Sequence, residues 1–149
     1  MTTVDTTHRR LCHALFDALE SGDVAGVDAC YAPDMTMWIN VSGETITREA
    51  NLEAVDKGRG LHRRRLYNDR NINTFDDGFM VQYTTHVVTH DGTEVPLSAC
   101  LVAEVRDARI TKLFEYLDTT QFRSRARSKK ARSTKTESRR ADSRQPEPT

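Results

Sequence analysis

Residues 76–109 read DDGFMVQYTTHVVTHDGTEVPLSACLVAEVRDAR, and the fold turns on this stretch. Asp77-Gly78 and Asp91-Gly92 are strong hairpin signals, and Asp107-Ala108 is a weaker third. Between them the pattern has the period of two expected of strands packed on one face. In 93–106 one face is Val95, Leu97, Ala99, Leu101, Ala103 and Val105. The other is Glu94, Pro96, Ser98, Cys100, Val102 and Glu104. The first face is wholly apolar and must cover a core. Working outward, the turns divide the chain into four antiparallel strands, at about 62–75, 79–90, 93–106 and 109–118.

Upstream the period is helical. Leu11, Leu15, Ala18 and Leu19 form an apolar stripe with Cys12 and Phe16 beside it. Thr6 or Thr7 can cap this helix, and Gly22 suits a left-handed stop. Asp23 caps a second helix through about Tyr31, which Pro33-Asp34 breaks. Met35 to Asn40 reads as a short strand, and a third helix runs from about Thr47 to Lys57 with Leu52 and Val55 inward. The order predicts an α+β fold in which a curved antiparallel sheet wraps around three N-terminal helices.

Composition divides the chain of 149 residues in two. Its 22 basic and 22 acidic residues cancel, but residues 122–149 carry a net +7 and residues 1–121 a net −7. The expected organisation is a folded domain over 1–122 and a basic, disordered tail over 123–149, because the tail has too little apolar surface to repay its ordering entropy. That tail could hold nucleic acid or an acidic partner by charge, yet after Phe122 it offers no aromatic for base stacking. No stretch is long and apolar enough for a membrane span, and the start lacks a signal-peptide run. Cys12, Cys30 and Cys100 are odd in number and lack a C-x-x-C pair, as expected of reduced packing residues in a cytoplasmic protein. No metal-ligand spacing stands out, and neither metal nor cofactor is expected.

Strand arithmetic nominates a site. If Asp91-Gly92 closes a two-residue turn, Met80, Gln82, Thr84 and His86 lie opposite the apolar face and look inward. Continuing through Asp77-Gly78 sets Asp69 opposite His86 and Asn71 opposite Thr84. An Asp beside a His fixes its tautomer and favours its charged form, the arrangement of an acid/base histidine. The plainer alternative is that these polar groups satisfy one another. In the last strand the simple register from Asp107-Ala108 points Phe114, Tyr116 and Asp118 inward. His62-Arg63-Arg64-Arg65 could hold an anion or form a solvated patch, and His8 and His13 are expected to be exposed. Val81, Tyr83, Val87 and Val102 fall on the face away from the helices, which predicts a homodimer through the outer sheet face.

The order of elements resembles the nuclear transport factor 2-like superfamily, within it the SnoaL-like, ketosteroid isomerase-like branch. The residues that carry the resemblance are Leu19-Glu20-Ser21-Gly22-Asp23, Tyr31-Ala32-Pro33-Asp34 and the closing string Ile110 to Asp118. It covers about residues 7–122 and implies a cone-shaped fold with an internal cavity. It also implies that Glu115 and Leu117 face inward, since epoxide-hydrolysing relatives carry a working carboxylate at the Glu115 position. A β-bulge would reconcile this with the simple register. Trp38 and Asn40 match positions where relatives place substrate or water contacts. His86 and Thr84 stand where the epoxide hydrolases have Asp and Arg, which speaks against that route. Ile39-Asn40 and Leu15-Phe16 stand where ketosteroid isomerases keep their catalytic Asp and Tyr.

The leading expectation is therefore a small-molecule enzyme of the SnoaL-like type, an isomerase, dehydratase or cyclase. His86, Asp69 and Glu115 would be its acid/base groups, and Trp38, Asn40, Thr84, Asn71, Gln82 and Phe16 would contact an apolar ligand. The competing expectation is a non-catalytic ligand-binding or dimeric interaction module of the same fold.

Overall fold

A computed structural model of the protein describes residues 2–122 and, beyond them, residues 124, 131, 132 and 135. Two compact units divide at residues 118 and 119. In the second, residues 120–122 are helical and the Phe122 N–H donates to the Thr119 carbonyl at 3.1 Å. Most of the expected tail lies outside the described residues.

The first unit runs α1 (Thr3–Ser21), α2 (Val24–Cys30), β1 (Tyr31–Ile39), β2 (Glu44–Thr47), α3 (Arg48–Leu61), β3 (Arg64–Phe75), β4 (Gly78–Val88), β5 (Glu94–Arg106) and β6 (Arg109–Leu117). The six strands form one sheet in the order β2-β1-β6-β5-β4-β3. It is mixed: β1 lies parallel to β6, and the other pairs are antiparallel. The helices come first and the sheet packs on them, the α+β arrangement that the sequence predicts.

Local chemistry sets the helix ends. Thr2 caps α1 through its hydroxyl, which accepts from Asp5 N–H at 3.1 Å, so the helix starts a turn earlier than Thr6. Gly22 ends it at φ +70°, the left-handed conformation for which glycine is suited. Asp23 then accepts from Gly26 N–H at 3.0 Å and starts α2. The buried stripe of α1 is His8, Cys12, Leu15, Phe16 and Ala18, rotated slightly from the expected one, with Leu11 and Leu19 at its margins. His8 is therefore not exposed; its Nδ1 lies 3.0 Å from the Phe75 carbonyl oxygen.

Three irregularities decide which side chains face the helices. The β4–β5 hairpin pairs Val88 with Glu94, and Thr89 N–H donates to the Thr93 carbonyl at 2.9 Å. Three residues, His90 to Gly92, close it, with Gly92 at φ +81°. A three-residue loop in place of two reverses the face that β4 presents opposite the apolar face of β5. Phe79, Val81, Tyr83, Thr85 and Val87 thus pair with Ala103, Leu101, Ala99, Leu97 and Val95 and are buried. Met80, Gln82, Thr84 and His86 face outward, against expectation. Val81, Tyr83 and Val87 are correspondingly core residues and not an outer patch.

The β3–β4 turn is Asp76-Asp77, because Phe75 pairs with Gly78. Gly78 serves a close approach: a Cβ there would lie 1.9 Å from the Ala103 carbonyl oxygen. A bulge further along sets Asp69 and Arg70 against Tyr83 alone, with Asp69 at φ +56°. It releases Arg70 toward α1, where its guanidinium meets Asp17 at 2.8 Å and Glu20 at 3.0 Å and lies over the Phe16 ring. The third irregularity is in β6. Val105 pairs with Ile110 but Glu104 with Lys112, so Thr111 is an extra residue and every later side chain changes face. Leu101 consequently lies opposite Glu115, and Tyr116 is exposed, not inward.

Candidate active site

Between the helices and the inner face of the sheet lies a cavity of about 180 Å³. α1 contributes Leu15, Phe16 and Leu19; α3 contributes Asn51 and Val55; the strands contribute Tyr31, Met37, Arg65, Tyr67, Tyr83, Leu101 and Glu115. Three aromatic rings stack edge to face at its base. Phe16 meets Tyr67 at 5.3 Å and Tyr83 at 4.8 Å between centroids, holding both phenols in place.

Glu115 is the only carboxylate in this lining. Its Oε1 accepts a hydrogen bond from the Tyr83 hydroxyl at 2.7 Å, a well-formed O–H···O length. Burial pushes the Glu115 carboxyl above the ordinary glutamate range, opposed by the Tyr83 hydrogen bond and then by the Arg65 charge. Burial likewise drives the Tyr83 phenol strongly upward, and the Glu115 charge adds to it, so Tyr83 stays a donor. Tyr67 is raised chiefly by burial, with neighbouring Arg65 pulling the other way. On the α3 side the Tyr31 hydroxyl donates to Asn51 Oδ1 at 2.9 Å, and the Asn51 amide donates to the Met37 sulfur at 2.9 Å. One acid with raised proton affinity, held by a phenol in an apolar chamber, can give or take a proton at a bound molecule.

The nominated residues separate onto two faces. Glu115 and Phe16 line the inner cavity. Asn40, Asp69, Asn71, Gln82 and Thr84 line a wide, open hollow of about 620 Å³ on the outer face of the sheet. There the Asn71 amide donates to Gln82 at 3.2 Å, and Asn40 exchanges two hydrogen bonds with the Leu117 backbone at 3.2 and 2.9 Å. Asn40 is thus a strand staple. Trp38 packs on Tyr116, 5.3 Å between ring centroids, also away from the cavity. His86 pairs with Leu66 and Pro96 on the outer face, so Asp69 does not sit across from it, and the expected His–Asp couple does not form. The three-residue hairpin and the β3 bulge are the physical causes.

Tyr83, Tyr67, Tyr31 and Asn51 were not nominated from sequence, and Arg65 only as part of a possible anion patch, although one signal was available for Tyr83. Phe79, Val81, Tyr83, Thr85 and Val87 are a more apolar set than Met80, Gln82, Thr84, His86 and Val88. That alternation outweighs a turn type inferred from one Asp-Gly pair.

Among the described residues no group of three His, Cys, Asp or Glu side chains is placed to hold a metal ion. No helix there is long and apolar enough to cross a membrane. All three cysteines are free, and burial raises each thiol, that of Cys12 to about 12.

A sheet closed over helices around an acid-bearing cavity is the architecture of ketosteroid isomerase-like folds. The chain belongs to the SnoaL-like domain family, whose model matches residues 12–113. No curated protein matches it. Among solved structures it resembles a protein of Xanthomonas campestris pv. campestris assigned as a polyketide cyclase, at TM-score 0.70 and 21% identity over 78% of this chain and 94% of that one. It also resembles an LEH-like epoxide hydrolase of M. tuberculosis, at TM-score 0.65 and 24% identity over 78% and 86%. A ketosteroid isomerase-like protein of Catenulispora acidiphila, solved with trimethylamine, matches at TM-score 0.68 and 14% identity over 74% and 87%. These likenesses concern the fold.

Proposed function

We propose that the protein is a small-molecule enzyme in which Glu115 moves a proton on a mostly apolar substrate held in the inner cavity. The observation that carries this reading is the 2.7 Å Tyr83–Glu115 hydrogen bond inside that chamber. The ionised carboxylate would take a proton from a carbon next to a carbonyl, or from a hydroxyl. Glu115 would then return it at a second position, which is isomerisation, or to a leaving hydroxyl, which is dehydration. Intramolecular aldol cyclisation needs the same two events. Tyr83 holds the carboxylate in position, and the Tyr67 hydroxyl, in the same lining, would meet a substrate oxygen. The assignments of the related structures, cyclase and epoxide hydrolase, are compatible with an acid at this place.

A second reading, a ligand-binding module without chemistry, is favoured by the Tyr31–Asn51–Met37 chain, whose polar groups already satisfy one another. A screen of enolisable ketones and β-hydroxy carbonyl compounds for exchange of the α-hydrogen in D₂O separates the two. The enzyme reading expects exchange that Glu115→Gln abolishes; ligand binding without exchange across the panel supports the module. Pairing of two copies through the outer sheet face also stands as a proposal, carried now by exposed Tyr116 with Trp38, Met80 and Val102. Light scattering at micromolar concentration tests it, a monomer being the contrary result.

A further inference from the structure

The run His62-Arg63-Arg64-Arg65 enters the reading above only through Arg65. It spans the junction where α3 ends at Leu61 and β3 begins at Arg64, with His62 extended as the cap. Together with Leu19, Val55 and Tyr67 it walls a second hollow, of about 260 Å³. Leu19, Val55, Arg65 and Tyr67 line both this hollow and the Glu115 cavity. The two spaces are therefore adjacent and share that lining. Arg63, Arg64 and Arg65 are exposed whereas Tyr67 is buried, which places the arginines on the solvent side.

Arg65 acts on Glu115 across the shared lining, but the arginines of this run make no ion pair among the described residues. Seven other basic side chains pair with carboxylates, among them Arg59 with Asp56 and Arg70 with Asp17 and Glu20. Glu20 is the one carboxylate in the wall, and it is occupied by Arg70 at 3.0 Å and by the Tyr67 N–H at 3.3 Å. Arg65 Nη2 lies 2.8 Å from His62 Nε2. A guanidinium can only donate, so Nε2 accepts there; burial, then neighbouring Arg65 and His90, lowers the His62 pKa in the same sense. Arg63 and Arg64 thus bring positive charge to a hollow beside an apolar chamber, with no carboxylate in ion-pair contact among the described residues. A planar oxyanion, bound in the guanidinium fork, supplies that contact.

We propose that this arginine hollow is a binding subsite for the anionic head of the substrate. The substrate class is then an amphiphilic organic anion. Its carboxylate or phosphate rests on Arg63, Arg64 and Arg65, and its apolar body passes Leu19, Val55 and Tyr67 to reach Glu115. The inference rests on the cavity reading proposed above.

Calorimetric titration of the full chain with octanoate, octyl phosphate and octan-1-ol tests it, alongside the double variant Arg63→Gln, Arg64→Gln. Both arginines are exposed, so the variant is expected to fold, and its urea midpoint checks this. The expected result is that at least one anion binds about tenfold or more tighter than the alcohol. That preference should shrink in about 0.5 M NaCl and fall several-fold in the variant, which keeps the wild-type affinity for octan-1-ol. A stronger octanoate or a stronger octyl phosphate signal supports the inference and identifies the head. Equal binding of anions and alcohol overturns it and leaves the cavity reading standing. An anion preference undiminished in the variant lodges the anion elsewhere, for example on the basic tail, and also overturns it. Binding by none of the three overturns both readings together.

Discussion

The two faces of β4 make opposite uses of polar side chains. The outer face has more of them, and they are of the types that catalysis uses: Gln82, Thr84 and His86, with Asn71 and Asp69 nearby on β3. They meet one another or the solvent in an open hollow. The inner face has only Tyr83 and Thr85 among Phe79, Val81 and Val87. Yet Tyr83 reaches across to β6 and holds a carboxylate within an apolar wall. On the proposed reading, chemistry would depend on where a single acid is placed, because burial raises its proton affinity.

The largest expected effect breaks the comparison at adjacent residues. Phe79 is fully buried and Met80 faces outward. Phe79→Ala should cost about 3–5 kcal/mol of stability, and Met80→Ala less than about 1 kcal/mol, measured by urea denaturation. Similar costs at both positions would mean that the faces are assigned the wrong way round.

Activity offers the next contrast. Once a substrate is in hand, Glu115→Gln should lower turnover about 10²-fold or more, while His86→Gln should leave it unchanged. Stability adds a sign. The folded-state pKa of Glu115 lies above its unfolded value, so the folded protein binds this proton more tightly. Its contribution is favourable below the unfolded pKa and is lost as pH rises through the folded one. Glu115→Gln, which keeps an acceptor for Tyr83, should therefore melt higher than wild type at pH 8, with the difference narrowing toward pH 4. Thermal melts across that range check it.

The helices, the meander and the apolar face of β5 were legible in the sequence because each is a repeating pattern with many residues voting. What was not legible depends on single residues. One residue added to the His90–Gly92 loop exchanged the faces of β4, and with them His86 for Tyr83. The extra Thr111 moved β6 the other way, toward the register that the family resemblance implied for Glu115. Neither loop length nor bulge leaves a strong composition signature. β2, four residues long, and the parallel pairing of β1 with β6 were similarly silent.

The smallest expected effect concerns the turn that feeds this bulge. Asp107 and Ala108 both have positive φ, at 52° and 57°, which suits a tight hairpin but strains an alanine. Ala108→Gly should relieve that strain, less the added unfolded-state entropy of glycine, for a gain of about 0.5 kcal/mol in urea. Destabilisation would mean that the turn, and the register of β6 beyond it, differ from those described.

The most direct test of the central claim, that Glu115 is a buried acid held by Tyr83, is its own titration. Carbon-13 NMR of the glutamate side-chain carboxyls, assigned by comparison with Glu115→Gln, should show the Glu115 resonance titrating above the ordinary glutamate range. Tyr83→Phe should move that resonance higher still, since the hydrogen bond from Tyr83 lowers it. A Glu115 carboxyl that titrates within the ordinary glutamate range, and ignores the loss of the Tyr83 hydroxyl, would contradict the account.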